Sequence, residues 1–463
     1  MAKATKRTRP GRRLKRKSEA WFPLRRPALL AALGLAGWAP AGAADFPSTL
    51  NLSGLDGTNG FRLNGVAAND NSGAAVSRAG DVNGDGLADL LIGALGAGPN
   101  GAQSGASYVV FGRDTAQTGP FPASLNLSSL DGTNGFRLNG VAAYDLSGVA
   151  VSSAGDVNGD GLADLLIGAN RADPNGNYSG ASYVVFGRDT AQNPFPASLN
   201  LSDLNGTNGF RLNGVAADDF SGQAVSTAGD VNGDGLADLL IGAFRAGSNV
   251  AQSGASYVVF GRDTAQTGPF PASLDLSVLD GTNGFRLNGV AVQDLSGVAV
   301  SSAGDVNGDG LADLLIGAPL ADPNGSASGA TYVVFGRDTA QTGPFPASLE
   351  LSSLDGTNGF RLNGVAANDA SGGAVSSAGD VNGDGLVDIL IGADGASPNG
   401  NYSGTSYVVF GRNTAQTGPF LASLNLSSLN GTNGFRLNGA MTADRSGSAV
   451  SGVSPRPVNS KGQ

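Results

Sequence analysis

Neither cysteine nor histidine occurs in the 463 residues. The first absence excludes thiolate metal sites, cysteine nucleophiles and disulfide staples. The second excludes imidazole ligands and every triad or general-base scheme built on imidazole. Charge is sparse, at 14% of residues, and aromatics stand at 6%, yet 40% of the chain is hydrophobic. That is too apolar for a disordered polymer. The 74 glycines and 21 prolines recur at fixed offsets, as turn punctuation between many short strands.

After the N-terminal region no apolar run reaches the 18 or so residues of a bilayer span, so a transmembrane helix in the mature chain is not expected. The first 44 residues differ from all that follow: eleven bases, from Lys3 to Arg26, precede PALLAALGLAGW and then APAGAAD. Residues 1–44 are expected to be a signal peptide, with cleavage after Ala43 or Ala44. A nucleic-acid-binding basic arm is the alternative, but such an arm has no need of an apolar stretch followed by small residues. Without this segment the net charge is about −20, which makes nucleic acid a poor partner and cations good ones. A secreted or cell-surface location follows from the export signal.

DVNGDGLADLLIGA begins at Asp81, Asp156, Asp230 and Asp305, and DVNGDGLVDILIGA at Asp380. The intervals of 75, 74, 75 and 75 residues define a repeat array. Each unit has four strand-like stretches, in the fourth unit Gly297 to Gly304, Asp313 to Ala318, Ala330 to Gly336 and Gly359 to Val365. The first is small-residue and crowded, and the second and third are apolar on both faces. The fourth alternates, with Phe360 and Leu362 inward and Arg361 and Asn363 toward water. SLELSSL in the long connection is expected to add one short strand or turn.

The fold class read from this pattern is all-β, a β-propeller of four-stranded blades, with five complete repeats and partial terminal strands at residues 60–66 and 447–452. Domain boundaries are expected at 45–452 for the propeller, with a divergent tail over 453–463. A string of β-sandwiches is the competing architecture, and four strands per unit are too few for it. A five-blade ring, an open six-blade ring and an unclosed arc all stay open.

Within DVNGDGLAD, Asp81, Asn83, Asp85 and Asp89 place oxygens at alternate positions, Gly84 and Gly86 let the chain curl, and Leu87 offers its carbonyl. This is a donor set for a hard cation. Calcium suits it better than magnesium, because calcium accepts six to eight oxygens in flexible geometry. Three carboxylates about 4 Å apart repel by roughly 4 kcal/mol per pair at an effective dielectric near 20, so an empty loop should open. Position twelve is Ile92, where an EF-hand needs a bidentate glutamate, and an apolar strand follows at once. Asp and Asn as plain turn formers are the bland reading.

The unit SGVAVSSAGDVNGDGLADLLIGAPLADPNGSASGATYVVFG, from Ser296 to Gly336, resembles the FG-GAP repeats that form integrin α-subunit propellers and their bacterial integrin-α-like counterparts. Only this unit keeps Gly317, Ala318 and Pro319, and SG replaces FG throughout. The resemblance implies about one Ca2+ per repeat. The implied ligands are Asp81, Asn83, Asp85, Leu87 and Asp89; Asp156, Asn158, Asp160, Leu162 and Asp164; Asp230, Asn232, Asp234, Leu236 and Asp238; Asp305, Asn307, Asp309, Leu311 and Asp313; and Asp380, Asn382, Asp384, Leu386 and Asp388.

It further implies an extracellular adhesion or recognition scaffold without catalysis, whose protein or glycan partner is unspecified. A carbohydrate-binding propeller using Tyr178 and Tyr402 is the alternative. A hydrolase or lyase is less favoured, since near-identical units offer few unique groups. GRD at Gly112 to Asp114 is not RGD and reads as a turn at a strand end.

Overall fold

The computed structural model describes residues 49–247 and 251–452. The expected signal segment and the tail from residue 453 lie outside the described residues. The described chain is a succession of antiparallel blades. Blade 2 runs Ala150–Gly155, Asp164–Ala169, Ala181–Val185 and Gly209–Asn213, each strand paired with the next. Blades 1, 3, 4 and 5 repeat this with inner strands Ser72–Gly80, Ala224–Gly229, Ala299–Gly304 and Ala374–Gly379.

Two expectations about the strands need correction. In blade 4 the outer strand Gly359–Asn363 is not a wet edge: Phe360 and Leu362 are fully buried and Asn363 nearly so. A fifth strand, Ser423–Asn425 from the following repeat, pairs parallel to it, and Asn363 Nδ2 donates to Asn425 Oδ1 at 3.0 Å. The SLELSSL-type stretch is thus both a strand and a turn, Ser348–Glu350 followed by a 3-10 turn at Leu351–Ser353. Each repeat lends this strand to the rim of the blade before it. Residues 447–452, expected as a first-type strand, form no ladder among the described residues; Gly452 N reaches Ser376 Oγ at 3.3 Å.

The core lies between blades. One cluster joins Val231, Leu240, Val258, Phe285 and Leu287 of blade 3 to Val300, Leu314, Ile316, Tyr332 and Val334 of blade 4. At its outer end Phe285 stacks on Phe345 with centroids 4.3 Å apart, and the Arg337 guanidinium lies 4.4 Å from the Phe345 centroid. The second strand of blade 2 runs so close to the segment entering blade 3 that a Cβ at Gly168 would sit 2.0 Å from the Gly222 carbonyl oxygen. Glycine at this position is a steric requirement of the approach.

The two end blades do not close on one another. Val76 on the inner strand of blade 1 is 69% exposed, against 8% for its counterpart Val151, and Val381 of blade 5 is 49% exposed. Arg62–Asn64, the expected fourth-type strand near the N-terminus, pairs with Ser124–Asn126.

Each blade buries a tyrosine on its third strand. Burial pushes the Tyr257 and Tyr332 hydroxyls up to about 12, with Asp219 and Asp294 adding to the rise and Arg286 and Arg361 opposing it. Their unfolded forms ionise near 10, so the folded state binds these protons more tightly. The stability is fully present below pH 10 and is lost as pH climbs toward 12. Melting followed from pH 8 to 12 should show a fall beginning near pH 10, with phenolate absorbance lagging behind that of free tyrosine. The substitution Tyr257→Phe should make the fall shallower.

Candidate cation-binding loops at the blade joints

The acidic loop follows an irregularity in the inner strand. In blade 2 the register slips between Ser153 and Gly155, and Gly155 takes φ 77°. A Cβ there would come within 2.4 Å of Ala237 Cβ in the next blade. The loop then closes on its own amides. Asp156 Oδ1 accepts from Gly159 N at 2.7 Å and Asp160 N at 3.2 Å, and Asp156 Oδ2 from Gly161 N at 2.8 Å. Asn158 Oδ1 accepts from Asp160 N, and Asp160 Oδ1 from Leu162 N. The other four loops show the same bonds. These amide donors offset part of the carboxylate repulsion.

The fifth position of the expected donor set behaves differently. Asp164 is fully buried; its Oδ2 accepts from Val157 N at 2.9 Å and its Oδ1 from Gly187 N at 2.9 Å. Asp89, Asp238, Asp313 and Asp388 do the same in their blades. Burial raises the Asp164 carboxyl well above its usual range against the pull of those two amides, and Asp160 and Asp156 add to the rise. In blade 1 the same balance pushes Asp89 up to about 6. This aspartate ties the loop to the ends of the second and third strands. Its place at the head of an apolar strand, in DLLIGA, was the signal for that role.

The structure brings the first, third and fifth positions of each loop together at one tip, with Asn158 and its copies in blades 1, 3 and 4 buried there and Asn382 exposed. Among the described residues no group of three acidic side chains closes to metal-holding distance. The donor chemistry of the loop is all oxygen: three carboxylates, one side-chain amide and the Leu carbonyl.

The backbone of the loop has a second role that the sequence reading missed. Its carbonyls carry the next blade. Asp156 O accepts from Ala237 N at 3.0 Å, Val157 O from Arg262 N at 2.9 Å, and Asn158 O from both Thr264 N at 2.9 Å and Thr264 Oγ1 at 3.1 Å. The same set joins blade 1 to 2, 3 to 4 and 4 to 5 through Thr190, Thr339 and Thr414. Val82, Val157, Val231 and Val306 are fully buried in these joints. GRDT, read as a turn at a strand end, is that turn: Asp263 caps the short helix Thr264–Thr267 while Arg262 and Thr264 grip the preceding loop.

The two loop tyrosines singled out for sugar stacking are exposed and held by neighbours. Tyr178 stacks on Phe220 at 5.4 Å, and the Arg445 guanidinium lies 5.1 Å from the Tyr402 centroid.

The FG-GAP repeat model matches five times, at residues 72–110, 147–185, 221–259, 296–334 and 371–409. Similar curated proteins include phosphatidylinositol-glycan-specific phospholipase D of Bos taurus, 32% identical over 190 residues, which make up 40% of this chain and 20% of that protein. Integrin alpha-IIb of Mus musculus is 29% identical over 192 residues, 40% of this chain and 16% of the relative. Integrin alpha-4 of Xenopus laevis is 30% identical over 185 residues, 40% and 15% respectively. The chain therefore matches a fifth or less of the length of these relatives.

The joint and the buried aspartate can be probed separately. Thr339→Val removes the hydroxyl bond to Asn232 and should lower stability by about 1 kcal/mol. Asp238→Ala strands two buried amides and should cost about 2 to 5 kcal/mol. Denaturant midpoints with unchanged slopes would give both values, and equal costs would contradict the assignment.

Proposed function

The chain is an FG-GAP repeat protein with integrin-α-like propeller blades, and from that membership we propose that it is an exported recognition or adhesion scaffold whose blade joints are stiffened by Ca2+. The observation that carries this reading is the double use of one loop: its carbonyls bind the next blade while its side chains present oxygen donors at the same tip. In blade 2 the donors would be Asp156, Asn158, Asp160, the Leu162 carbonyl and Asp164. A divalent ion there offsets like charges around a buried carboxylate and so ties loop shape to blade packing.

The scaffold acts by binding, without catalysis. Its repeated units carry no histidine or cysteine, and the likeness to phospholipase D spans 20% of that enzyme, which transfers no activity here. The partner is an extracellular protein or glycan, and the acidic surface disfavours nucleic acid. No helix among the described residues is long and apolar enough to cross a membrane.

A glycan partner has one specific observation in its favour. A cavity of about 560 Å³ opens on blade 5 beside the connection from blade 4, where its lining combines the Asp369 carboxylate, the Asn401 amide, Tyr402, Tyr407 and the Arg436 guanidinium. Such a mixture suits a polyhydroxylated ligand. A glycan array with and without calcium tests this reading, and Tyr402→Ala should abolish any signal from this cavity.

The calcium reading has its own measurement. At ten times its dissociation constant each site adds about 1.4 kcal/mol, so five sites add about 7 kcal/mol if the unfolded chain binds none. Calorimetry should show a sharply lower melting temperature in EDTA, recovery with calcium and poor recovery with magnesium. An unchanged melt in EDTA, with no calcium retained on elemental analysis, would overturn it.

A further inference from the structure

Four internal joints show what a covered blade face looks like. The two end faces show the same residues uncovered. On blade 5, Asp380 O, Val381 O and Asn382 O have no partner among the described residues, whereas in blades 1 to 4 each equivalent carbonyl accepts from the next blade. Val381 is exposed where its four counterparts are fully buried, and Leu437 is 53% exposed where Leu138, Leu212, Leu287 and Leu362 are at 0%. On blade 1 the complementary donors, Ala88 N, Arg113 N and Thr115 N, likewise lack partners among the described residues. Val76 and Leu90 stand exposed beside them.

Three orphan carbonyls at one end therefore match three orphan amides at the other. Nothing in the joint needs to be invented for them to meet, because the chain already makes this contact four times. An unpaired end face is costly when its polar groups must be solvated beside exposed valine and leucine, and covering it gains both terms.

One segment stands in the way. Gly60 to Asn64, GFRLN, occupies the rim of blade 1 that a preceding blade's outer strand would hold. Phe61 stacks on Phe121 at 4.2 Å, and Asn64 Nδ2 donates to Asn126 Oδ1 at 2.8 Å. The same contacts join Phe136 to Phe195 at 4.1 Å and Asn139 to Asn200 at 3.0 Å inside the array. The outer strand of blade 5, Gly434–Asn438, has the identical sequence GFRLN and no parallel partner among the described residues. Exchanging one GFRLN for the other conserves the stacked pair, the amide bond and the parallel ladder, so the exchange is close to neutral. The remaining joint is then gained.

We propose that blade 5 of one copy docks on blade 1 of a second copy, head to tail, with Gly434–Asn438 replacing Gly60–Asn64 at the rim. Asp380 O, Val381 O and Asn382 O then accept from Ala88 N, Arg113 N and Thr115 N of the second copy. The interface is heterologous, so it extends into longer assemblies unless the rotation closes a ring. It rests on blade geometry alone and does not depend on calcium or on the nature of the recognised partner.

Sedimentation velocity on the purified protein tests it. The weight-average mass should rise with concentration, and Phe61→Ala, which loosens the resident segment, should move the rise to lower concentration. Val381→Asp and Val76→Asp each spoil one end, at positions already exposed in the single molecule, so their melting temperatures should stay near wild type. Each variant alone should be monomeric, and an equimolar mixture should form a dimer that grows no further. A single variant that still self-associates would show like-to-like pairing and overturn the proposal. So would a wild type and a Phe61→Ala variant that stay monomeric at every concentration, including the case where slow exchange of the Ala88, Arg113 and Thr115 amides reveals closure within one chain.

Discussion

The structure depends on four hydrogen bonds made by three consecutive carbonyls. In each joint the first Asp, the Val and the Asn of the acidic loop turn their oxygens outward to Ala (Val387 in blade 5), Arg and Thr of the next blade, Thr contributing both amide and hydroxyl. Those carbonyls can point outward because the loop's own amides are occupied by the Asp and Asn side chains. The side chains thereby replace the backbone partners that a helix or strand would supply, as Asx turns do. An acidic loop that looks devoted to a cation is also the fastening of the fold.

Packing between blades follows from that fastening. Four clusters of buried side chains each draw on two neighbouring blades, so a lone blade would leave Val, Leu and Phe uncovered on both faces. Stability in such an array is a sum of unit and nearest-neighbour contributions. The rim strand lent by each repeat to the blade before it adds a covalent tether across every joint. Neighbouring blades are therefore coupled at the loop by hydrogen bonds, at the centre by apolar contact and at the rim by a shared sheet.

Much of this was legible in the residues. The bounds of Asp313–Ala318 were readable because LLI is apolar on both faces and starts at a loop and ends at a glycine and an alanine. Four antiparallel strands per unit and their order followed from the repeat. The rim was misread because Arg361 and Asn363 alternate with Phe360 and Leu362, which looks like a solvated edge. The strand that covers Asn363 comes from the next repeat, and single-unit patterning carries no trace of it. The second use of the loop was hidden for a similar reason: backbone carbonyls have no sequence signature. Only the constant GRDT or GRNT that follows each third strand hinted that Arg and Thr had a task there.

One irregularity in the array tests whether the joint or the repeat length is the guarded feature. The second interval is 74 residues where the others are 75, because AQTGPFPASL in the first repeat is AQNPFPASL in the second. The missing residue lies beyond Thr190, and the Thr264 hydroxyl accordingly meets Asn158 O across 106 residues where the other joints span 107. The bond length barely changes, 3.1 Å against 3.0 to 3.2 Å in the other joints. The cost appears elsewhere: the short helix that follows Asp114, Asp263, Asp338 and Asn413 is absent after Asp189. The connection to the rim absorbs the deletion while the loop, the threonine and the buried aspartate keep their geometry. A constraint that survives a change in chain length while its neighbours yield is the one that fixes where each blade sits.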